Sequence, residues 1–538
     1  MANRNKRGGG KTAFERVTTR TVMGAAVLFA LPMIFVRFSG KETVTILAFP
    51  LILLFTLYLI SEVIWERPTF RGVRLLLKGD QQDAARQYRR HMSVFGAAFG
   101  AVLSLAGVFL QPIFLQEAAG RAGNGRIFLV LMPGMVLLGS LGGKKGYLRA
   151  CGAGAEVSLL SMGQNVLTLV LPCLLSILLS RFGVRVDALM QTDCYAAIYG
   201  AAGTAIGLDI ACLASWIAFF LMELRFRAPD FFAGRRGKGR SGYPYLSMDA
   251  VFPLLLLAVL SFDLWRYFHG MPADEEGAAA HYALWGRYLG TAWYPSLFAG
   301  TLAVIPFILS VLQVQMRVQR DDSPSALDRF AGMIRHACIL FFPMTLLISA
   351  LALPINRGLF GQTDAEGAAL LGWQILMLPF FSISVLLTIL LYKSGGLRVI
   401  LIGAGIATAA HIAAVLLIPG GEHPVMPVIV AHLIGMVLYA LIVFVLLSAM
   451  LSYRQEWIHG VLIPLLSAGV ATLPVFLLSR ILAEVVGEIL TIVILSVMAG
   501  IIYMLLLTIL HGITEYELYR IPGGRLLAGF TGHDRRGV

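Results

Sequence analysis

Apolar runs of about 17 or more residues recur from one end of this chain to the other, and each is long enough to cross a hydrocarbon core of about 30 Å as a helix. The 538 residues are 58% apolar and 14% charged, with a mean hydropathy of +0.79. A soluble protein of this size could not bury that much apolar surface. Short segments of alternating hydrophobicity, which are typical of a membrane barrel, are absent. We therefore predict an all-α polytopic membrane protein.

The apolar pattern predicts fourteen transmembrane spans. With the N-terminus on the cytoplasmic side, the inner segments hold most of the 43 lysine and arginine residues, as the positive-inside rule requires. Both termini are then expected in the cytoplasm of a bacterial cell with the protein in its inner (plasma) membrane. The predicted spans are 22–37, 44–64, 92–115, 127–142, 157–180, 195–223, 248–268, 289–314, 334–354, 368–391, 398–418, 425–450, 458–479 and 488–510.

An internal repeat divides the chain. Residues 294–361 contain an apolar run, a charged connector and a second apolar run, and residues 84–115 repeat the connector and the run that follows it. Such a repeat is typical of duplicated membrane lobes. The matching pairs are Ala84 with Ala326, Tyr88 with Phe330, Leu105 with Leu347, Pro112 with Pro354 and Ile113 with Ile355.

Two basic inner loops separate the predicted parts. Residues 65–91 are expected to carry a short amphipathic helix, and residues 224–247 have the Gly-, Arg- and Pro-rich composition of a linker. We predict three parts, namely an N-terminal six-helix lobe at 1–235, a second six-helix lobe at 236–455, and an extra helix pair with a cytoplasmic tail at 456–538.

The sequence gives little support for an enzymatic function. The five cysteines stand singly, without the spacing of a metal site, and no nucleotide-binding motif is present. A membrane glycosyltransferase or polymerase would need an extramembrane carboxylate or metal cluster. The only candidate, Asp321-Asp322, precedes Ser323-Pro324 and is interpreted as the start of a helix. We predict a protein that is not an enzyme and needs no cofactor or metal.

Several segments resemble the multidrug/oligosaccharidyl-lipid/polysaccharide (MOP) flippase superfamily, and within it the polysaccharide flippases and the stage V sporulation protein B type. The resemblance covers nearly the whole chain through loose motifs. The segments that carry it are Pro295–Pro306, Asp328-Arg329-Phe330 with Pro343, Leu353–Gly361, Lys78-Gly79-Asp80 with Ala84–Arg86, Gly146–Arg149 and Glu156–Asn165.

The resemblance implies a transporter that flips a lipid-linked saccharide, such as a polyprenyl-pyrophosphate oligosaccharide for polysaccharide or cell-wall assembly. Its transport would run from the inner to the outer leaflet by alternating access, with polysaccharide-assembly enzymes as possible partners and no nucleic acid. The alternative is an ion-coupled multidrug exporter of the same superfamily. Related lipid II flippases carry charged residues in their first span. Met23–Phe35 has none, so neither that site nor that substrate is transferred to this chain.

Asp209 lies near the middle of the sixth predicted span. Gly203 and Gly207 form a small-xxx-small face suited to close helix packing, and Asp209 points roughly 140° away from it at about 100° per residue. A carboxylate there is expected to face a cavity or another helix rather than lipid. Two roles stay open, namely ion coupling and a structural hydrogen bond to a neighbouring helix.

Four further residues in predicted spans are candidates for ion coupling or gating. His411 and His432 lie at similar distances from the turn between spans eleven and twelve, so they are candidates for ion coupling or buried core histidines. Asp263 and Arg266 are three residues apart on one helix face, where they could form a gate or reach the membrane interface.

A lipid diphosphate needs cationic or amide donors. Residues of these types lie at the expected cytoplasmic ends of spans or at a depth where a cavity could lie. They could also determine the orientation of the chain in the membrane or form hydrogen bonds between helices. The candidates for substrate binding are Arg149, Glu156, Gln164, Asn165, Arg335, His336 and Gln374.

Overall fold

The computed structural model describes residues 29–115, 126–225 and 251–513, apart from a few positions within them, together with residues 26 and 517. Throughout these ranges the regular structure is helical, and no strand occurs in them. Among the described residues, twelve helices are long and apolar enough to cross a membrane, and a shorter apolar helix covers Phe29–Phe38. The predicted all-α polytopic membrane architecture is confirmed.

The helices are numbered here in chain order. They are α1 Phe29–Phe38, α2 Lys41–Ile46, α3 Ala48–Ile60, α4 Arg67–Lys78, α5 Gln82–Leu115, α6 Ile127–Ala150, α7 Gly154–Met190, α8 Tyr195–Arg225, α9 Val251–His269, α10 Glu275–Tyr288, α11 Tyr294–Val318, α12 Ser323–Ala350, α13 Ala352–Gly358, α14 Ala365–Gln374, α15 Leu378–Lys393, α16 Leu397–Leu417, α17 Met426–Leu451, α18 Ile463–Val486 and α19 Glu488–Ile509.

Every predicted span overlaps a helix, but several helices are longer than predicted. Helix α5 begins at Gln82, inside the predicted connector, and α7 continues to Met190. The amphipathic helix expected within 65–91 is α4, which continues from α3. Most of the predicted linker 224–247 and the pair Asp321-Asp322 lie outside the described residues. The helices extend because the polar connectors also have helical propensity, which hydropathy does not report.

The chain forms two compact units. The first comprises Met1–Gly290 with Ala404–Val428, and the second comprises Thr291–Gly403 with Ile429–Val538, so far as these ranges are described. The division into parts at 1–235, 236–455 and 456–538 stays a prediction.

Glycines bring the helices of the first unit into close contact. A Cβ atom at Gly139 of α6 would lie 2.1 Å from the Gly96 carbonyl oxygen of α5, and one at Gly203 of α8 would lie 2.4 Å from the Leu175 oxygen of α7. At Gly207 the same atom would meet Pro172 at 2.5 Å. Backbones this close leave room only for hydrogen at these positions. The predicted packing face of Gly203 and Gly207 is confirmed.

Three π-helical segments interrupt the described helices, at Ser61–Glu66, Leu289–Trp293 and Ile458–Leu462. A proline follows each of them as the second residue of the next helix, namely Pro68, Pro295 and Pro464. Proline has no N–H and its ring displaces the carbonyl four residues before it, so the α-helical bonding pattern cannot continue there unchanged. The wider π turn accommodates this break.

The last two long helices of the second unit pack on the helices around them. Helix α18 lies along α12, and α19 contacts α13, where Arg357 and Glu488 form an ion pair at 3.5 Å. Leu351, Val475, Leu495 and Ala499 form a buried apolar cluster between these helices. The helix pair is therefore packed into the second unit rather than standing apart from it.

Candidate functional site

The π turn after α3 carries two glutamates into the first unit. Glu62 and Glu66 lie four residues apart in Ser61–Glu66, and the Arg67 N–H donates to the Glu62 carbonyl five residues back. Glu66 is 5% exposed. Such π turns often occur at functional sites because they redirect side chains that a regular helix would place elsewhere.

Helix α6 brings two cations to the same place. The Arg149 guanidinium forms an ion pair with the Glu66 carboxylate. One turn earlier, Lys145 is 8% exposed and is close enough to Glu66 for electrostatic interaction. The Arg149 Nε atom is buried and has no hydrogen-bond partner among the described residues.

Helix α7 completes the site with neutral polar groups. The Lys145 Nζ atom donates to the Gln164 Oε1 atom at 2.7 Å, and Gln164 is 4% exposed. The hydrogen-bond partner of this buried ammonium is thus a neutral amide rather than a carboxylate. A buried cation is best stabilised by an anion, so the arrangement leaves Lys145 with capacity to bind a negative charge.

These residues surround a cavity with a volume of about 30 Å³, which has room for one or two water molecules. It is defined here as the charged cavity. Its lining consists of Tyr58, Ser61, Glu62, Glu66, Leu138, Leu141, Lys145, Arg149, Ser161 and Asn165. Among the residues predicted for substrate binding, the structure brings Arg149, Gln164 and Asn165 together at this site.

A second charge cluster lies on the other side of α6. Glu223 of α8 pairs with Arg89 of α5 at 2.7 Å and with Lys144 of α6 at 3.5 Å. The Lys144 ammonium also lies 4.3 Å from the centre of the Trp216 ring. Both cations of this cluster pair with a carboxylate, whereas Lys145 donates to an amide and lies 5.2 Å from the centre of the Phe219 ring. The cluster therefore ties three helices together and offers less to a ligand than Lys145 does.

Asp209 bonds to the neighbouring helix. Its Oδ1 atom accepts the Gly134 N–H of α6 at 2.7 Å, directly after Pro133. The expectation that this carboxylate faces another helix rather than lipid agrees with this contact. Backbone groups next to a proline in a membrane helix need such a partner because lipid offers none.

Asp263 and His411 are partners in the first unit. The His411 Nε2 and Asp263 Oδ1 atoms lie 2.7 Å apart, and both residues are buried. Arg266 is half-buried on the same helix as Asp263. Asp263, which was predicted for a gate, and His411, which was predicted for ion coupling, thus form one hydrogen-bonded pair. The sequence of either helix alone does not show this contact.

The remaining candidates lie elsewhere. Arg335 and His336 of α12 both contact Glu517, the histidine at 2.8 Å.

Gln374 is buried and donates to the Met377 sulfur at 3.0 Å. His432 stacks on Trp293 with ring centroids 3.9 Å apart. Glu156 is exposed in the first turn of α7. The substrate, gating and coupling roles of all these residues stay predictions.

Sequence reasoning missed Glu62, Glu66 and Lys145. The predicted fourth span ended at 142, so Lys144 and Lys145 counted as loop charges, whereas α6 continues to Ala150 and buries both. The available signal was a pair of glutamates four residues apart next to an apolar run. Only the packing of α6 against the π turn shows that they have cationic partners.

Comparison with known proteins gives the fold. The structure matches a lipid II flippase, MurJ, in an inward closed conformation, with a TM-score of 0.53 and 12% identity over 92% of this chain and 98% of that one. The chain has the fold of the MOP transporters. It also matches an inward-facing multidrug resistance MATE family transporter of the MOP superfamily, with a TM-score of 0.51 and 13% identity over 82% and 98%.

Sequence comparisons add no closer relative, because no family model and no curated protein matches the chain. Both structures confirm the fold that the MOP resemblance implies. The membrane location is supported by the helices themselves, which in the described part of the chain are long and apolar enough to span a bilayer.

Proposed function

We propose that this protein flips a lipid-linked saccharide from the cytoplasmic to the outer leaflet by alternating access. Its substrate class is a polyprenyl-pyrophosphate oligosaccharide for polysaccharide or cell-wall assembly. The charged cavity receives the diphosphate, with Arg149 and Lys145 as cationic donors and Gln164 and Asn165 as amide donors.

The observation that carries the proposal is the buried Lys145 ammonium bonded to the neutral Gln164 amide. Glu66 is matched by Arg149, and Glu62 is matched by Arg67 at 3.3 Å. The remaining positive charge therefore favours an anionic substrate over a cationic drug. The buried Arg149 Nε donor supports the same preference, because phosphate oxygens bind guanidinium groups through several N–H groups at once.

The other predicted roles belong to this proposal. Asp209 and the histidines His411 and His432 are proposed for ion coupling, and Asp263 with Arg266 for a gate. Arg335, His336, Glu156 and Gln374 are proposed as further substrate contacts. The protein is proposed to act as a transporter rather than an enzyme, in a bacterial inner membrane with cytoplasmic termini.

The test is translocation of a fluorescent polyprenyl-diphosphate oligosaccharide in proteoliposomes, with and without an imposed proton or sodium gradient. Protein-dependent movement of the lipid supports the flippase, and dependence on a gradient identifies the coupling ion. If the lipid stays in place while a cationic dye is exported, the drug-exporter alternative replaces the proposal.

A further inference from the structure

The charged cavity already holds an anion where the substrate proposed above would bind. The Glu66 carboxylate occupies Arg149, the guanidinium that a diphosphate would bind, and it interacts electrostatically with Lys145. A headgroup can therefore reach this cation only by displacing Glu66.

Displacement would leave Glu66 in an unfavourable state. Glu66 is 5% exposed. The charged and titratable groups that face it are Arg149 and Lys145 from α6, Glu62 from the same π turn, Arg67 from the start of α4, and Tyr58 from α3. Once a diphosphate takes both α6 cations, the only cation left facing Glu66 among the described residues is Arg67, which already pairs with Glu62, and the diphosphate oxygens add negative charge nearby. A buried carboxylate without a counter-charge is neutralised by binding a proton.

We propose that the anionic headgroup and the Glu66 carboxylate exchange places on Arg149 and Lys145, and that the displaced carboxylate takes up one proton. This inference rests on the proposed function. The balance is simple: the ion pair of Glu66 and Arg149 opens, the diphosphate oxygens accept the hydrogen bonds of both cations, and a proton from solvent converts the carboxylate to a carboxylic acid. Release of the headgroup returns the proton and restores the ion pair.

The exchange makes binding and proton uptake one event. The two or more negative charges of the diphosphate replace the single charge of the carboxylate, which suits a site where Lys145 is a positive charge in excess. If binding of the ligand takes up one proton, thermodynamic linkage requires that its affinity falls about tenfold for each unit by which the pH rises.

The experiment is calorimetric titration of the purified full-length protein with farnesyl diphosphate at pH 8, where the diphosphate itself is ionised. Runs in HEPES and in Tris, whose ionisation enthalpies differ, give the number of protons taken up. We expect about one proton for each bound ligand and, between pH 7.5 and 9, a dissociation constant that rises about tenfold per pH unit. Farnesol, which lacks the charge, should take up none.

Variants locate the proton. Glu66→Gln should lose the proton uptake and bind farnesyl diphosphate at least tenfold more tightly, because the competing carboxylate is gone. Asp83→Asn, at an exposed carboxylate outside the cavity, should keep the uptake. The wild-type measurement stands by itself if Glu66→Gln does not fold.

Two results would overturn the inference. Binding of the diphosphate by the wild type without proton uptake refutes the exchange while leaving the proposed function intact. Unchanged uptake in Glu66→Gln assigns the proton to another group. Absence of any binding, together with absence of lipid translocation in proteoliposomes, would overturn the proposed function as well.

Discussion

At the scale of single residues, the burial of the Glu66–Arg149 ion pair makes the protein sensitive to loss of either partner alone. Arg149→Gln leaves the Glu66 carboxylate buried without its cation, which costs about 3–5 kcal/mol of the free energy of unfolding. Adding Glu66→Gln removes the orphaned charge, so the double variant should recover most of that loss. Chemical unfolding in mixed micelles measures both values.

A matched control is available on the surface. Asp83 and Arg86 form an exposed ion pair at 3.8 Å on α5, and exposed pairs contribute little. The double variant Asp83→Asn/Arg86→Gln should change stability by less than about 1 kcal/mol. Equal effects of Arg149→Gln alone and of the Glu66→Gln/Arg149→Gln double variant would contradict a coupled buried pair.

Two substitutions of Asp209 distinguish its two proposed roles, ion coupling and a structural hydrogen bond. Asn keeps an oxygen that can accept the Gly134 N–H, whereas Leu leaves that buried donor unpaired. We expect Asp209→Leu to be less stable than Asp209→Asn by about 1–3 kcal/mol. Because the amide cannot titrate, Asp209→Asn should lose gradient-driven transport while staying folded.

The measurements are unfolding in micelles and transport in proteoliposomes with a proton or sodium gradient. Wild-type gradient-driven transport by Asp209→Asn would refute ion coupling at this residue and leave only the structural hydrogen bond. Equal stability of the Asn and Leu variants would refute the structural role.

At the scale of helices, glycine contacts determine how closely α5 and α6 approach. A methyl group at Gly139 would meet backbone 2.1 Å away and force the two helices apart. We expect Gly139→Ala to lower the free energy of unfolding by about 1–3 kcal/mol. Gly163→Ala in α7 is the control, since no atom of a neighbouring helix lies within 4 Å of the added carbon, and better helix propensity should make it neutral or slightly stabilising.

Unfolding of both variants under the same conditions tests this expectation. A Gly139→Ala protein as stable as Gly163→Ala would show that the helices can separate without cost.

Helix positions were predictable from the apolar runs, but helix ends were not. Hydropathy falls where Lys144 and Lys145 begin, although α6 continues through both because its packed neighbours supply polar partners. The three π turns had a signal in the proline that follows each of them. A proline alone does not reveal a π turn, however, because α6 continues as an α-helix through Pro133.

At the scale of the whole molecule, the MOP fold was predictable from loose motifs and from the arrangement of the predicted spans in groups of six, six and two. The candidate site was predictable only in part. Arg149, Gln164 and Asn165 were identified as polar residues at plausible depth, whereas Glu66 was not, because its role depends on which helix lies against it. Pairing across helices 80 or so residues apart leaves no local pattern in one sequence.

The central claim is that the cations of the charged cavity receive an anionic lipid headgroup. The most direct measurement is the rate of polyprenyl-diphosphate oligosaccharide translocation by Lys145→Gln, which removes the cation whose hydrogen-bond partner is the neutral Gln164 amide. Loss of the ammonium removes charge-assisted hydrogen bonds worth about 1.5–3 kcal/mol, so the rate should fall about tenfold to a hundredfold below wild type. The Asp83→Asn/Arg86→Gln control should keep the wild-type rate. A folded Lys145→Gln protein that translocates the lipid as fast as wild type would contradict the claim.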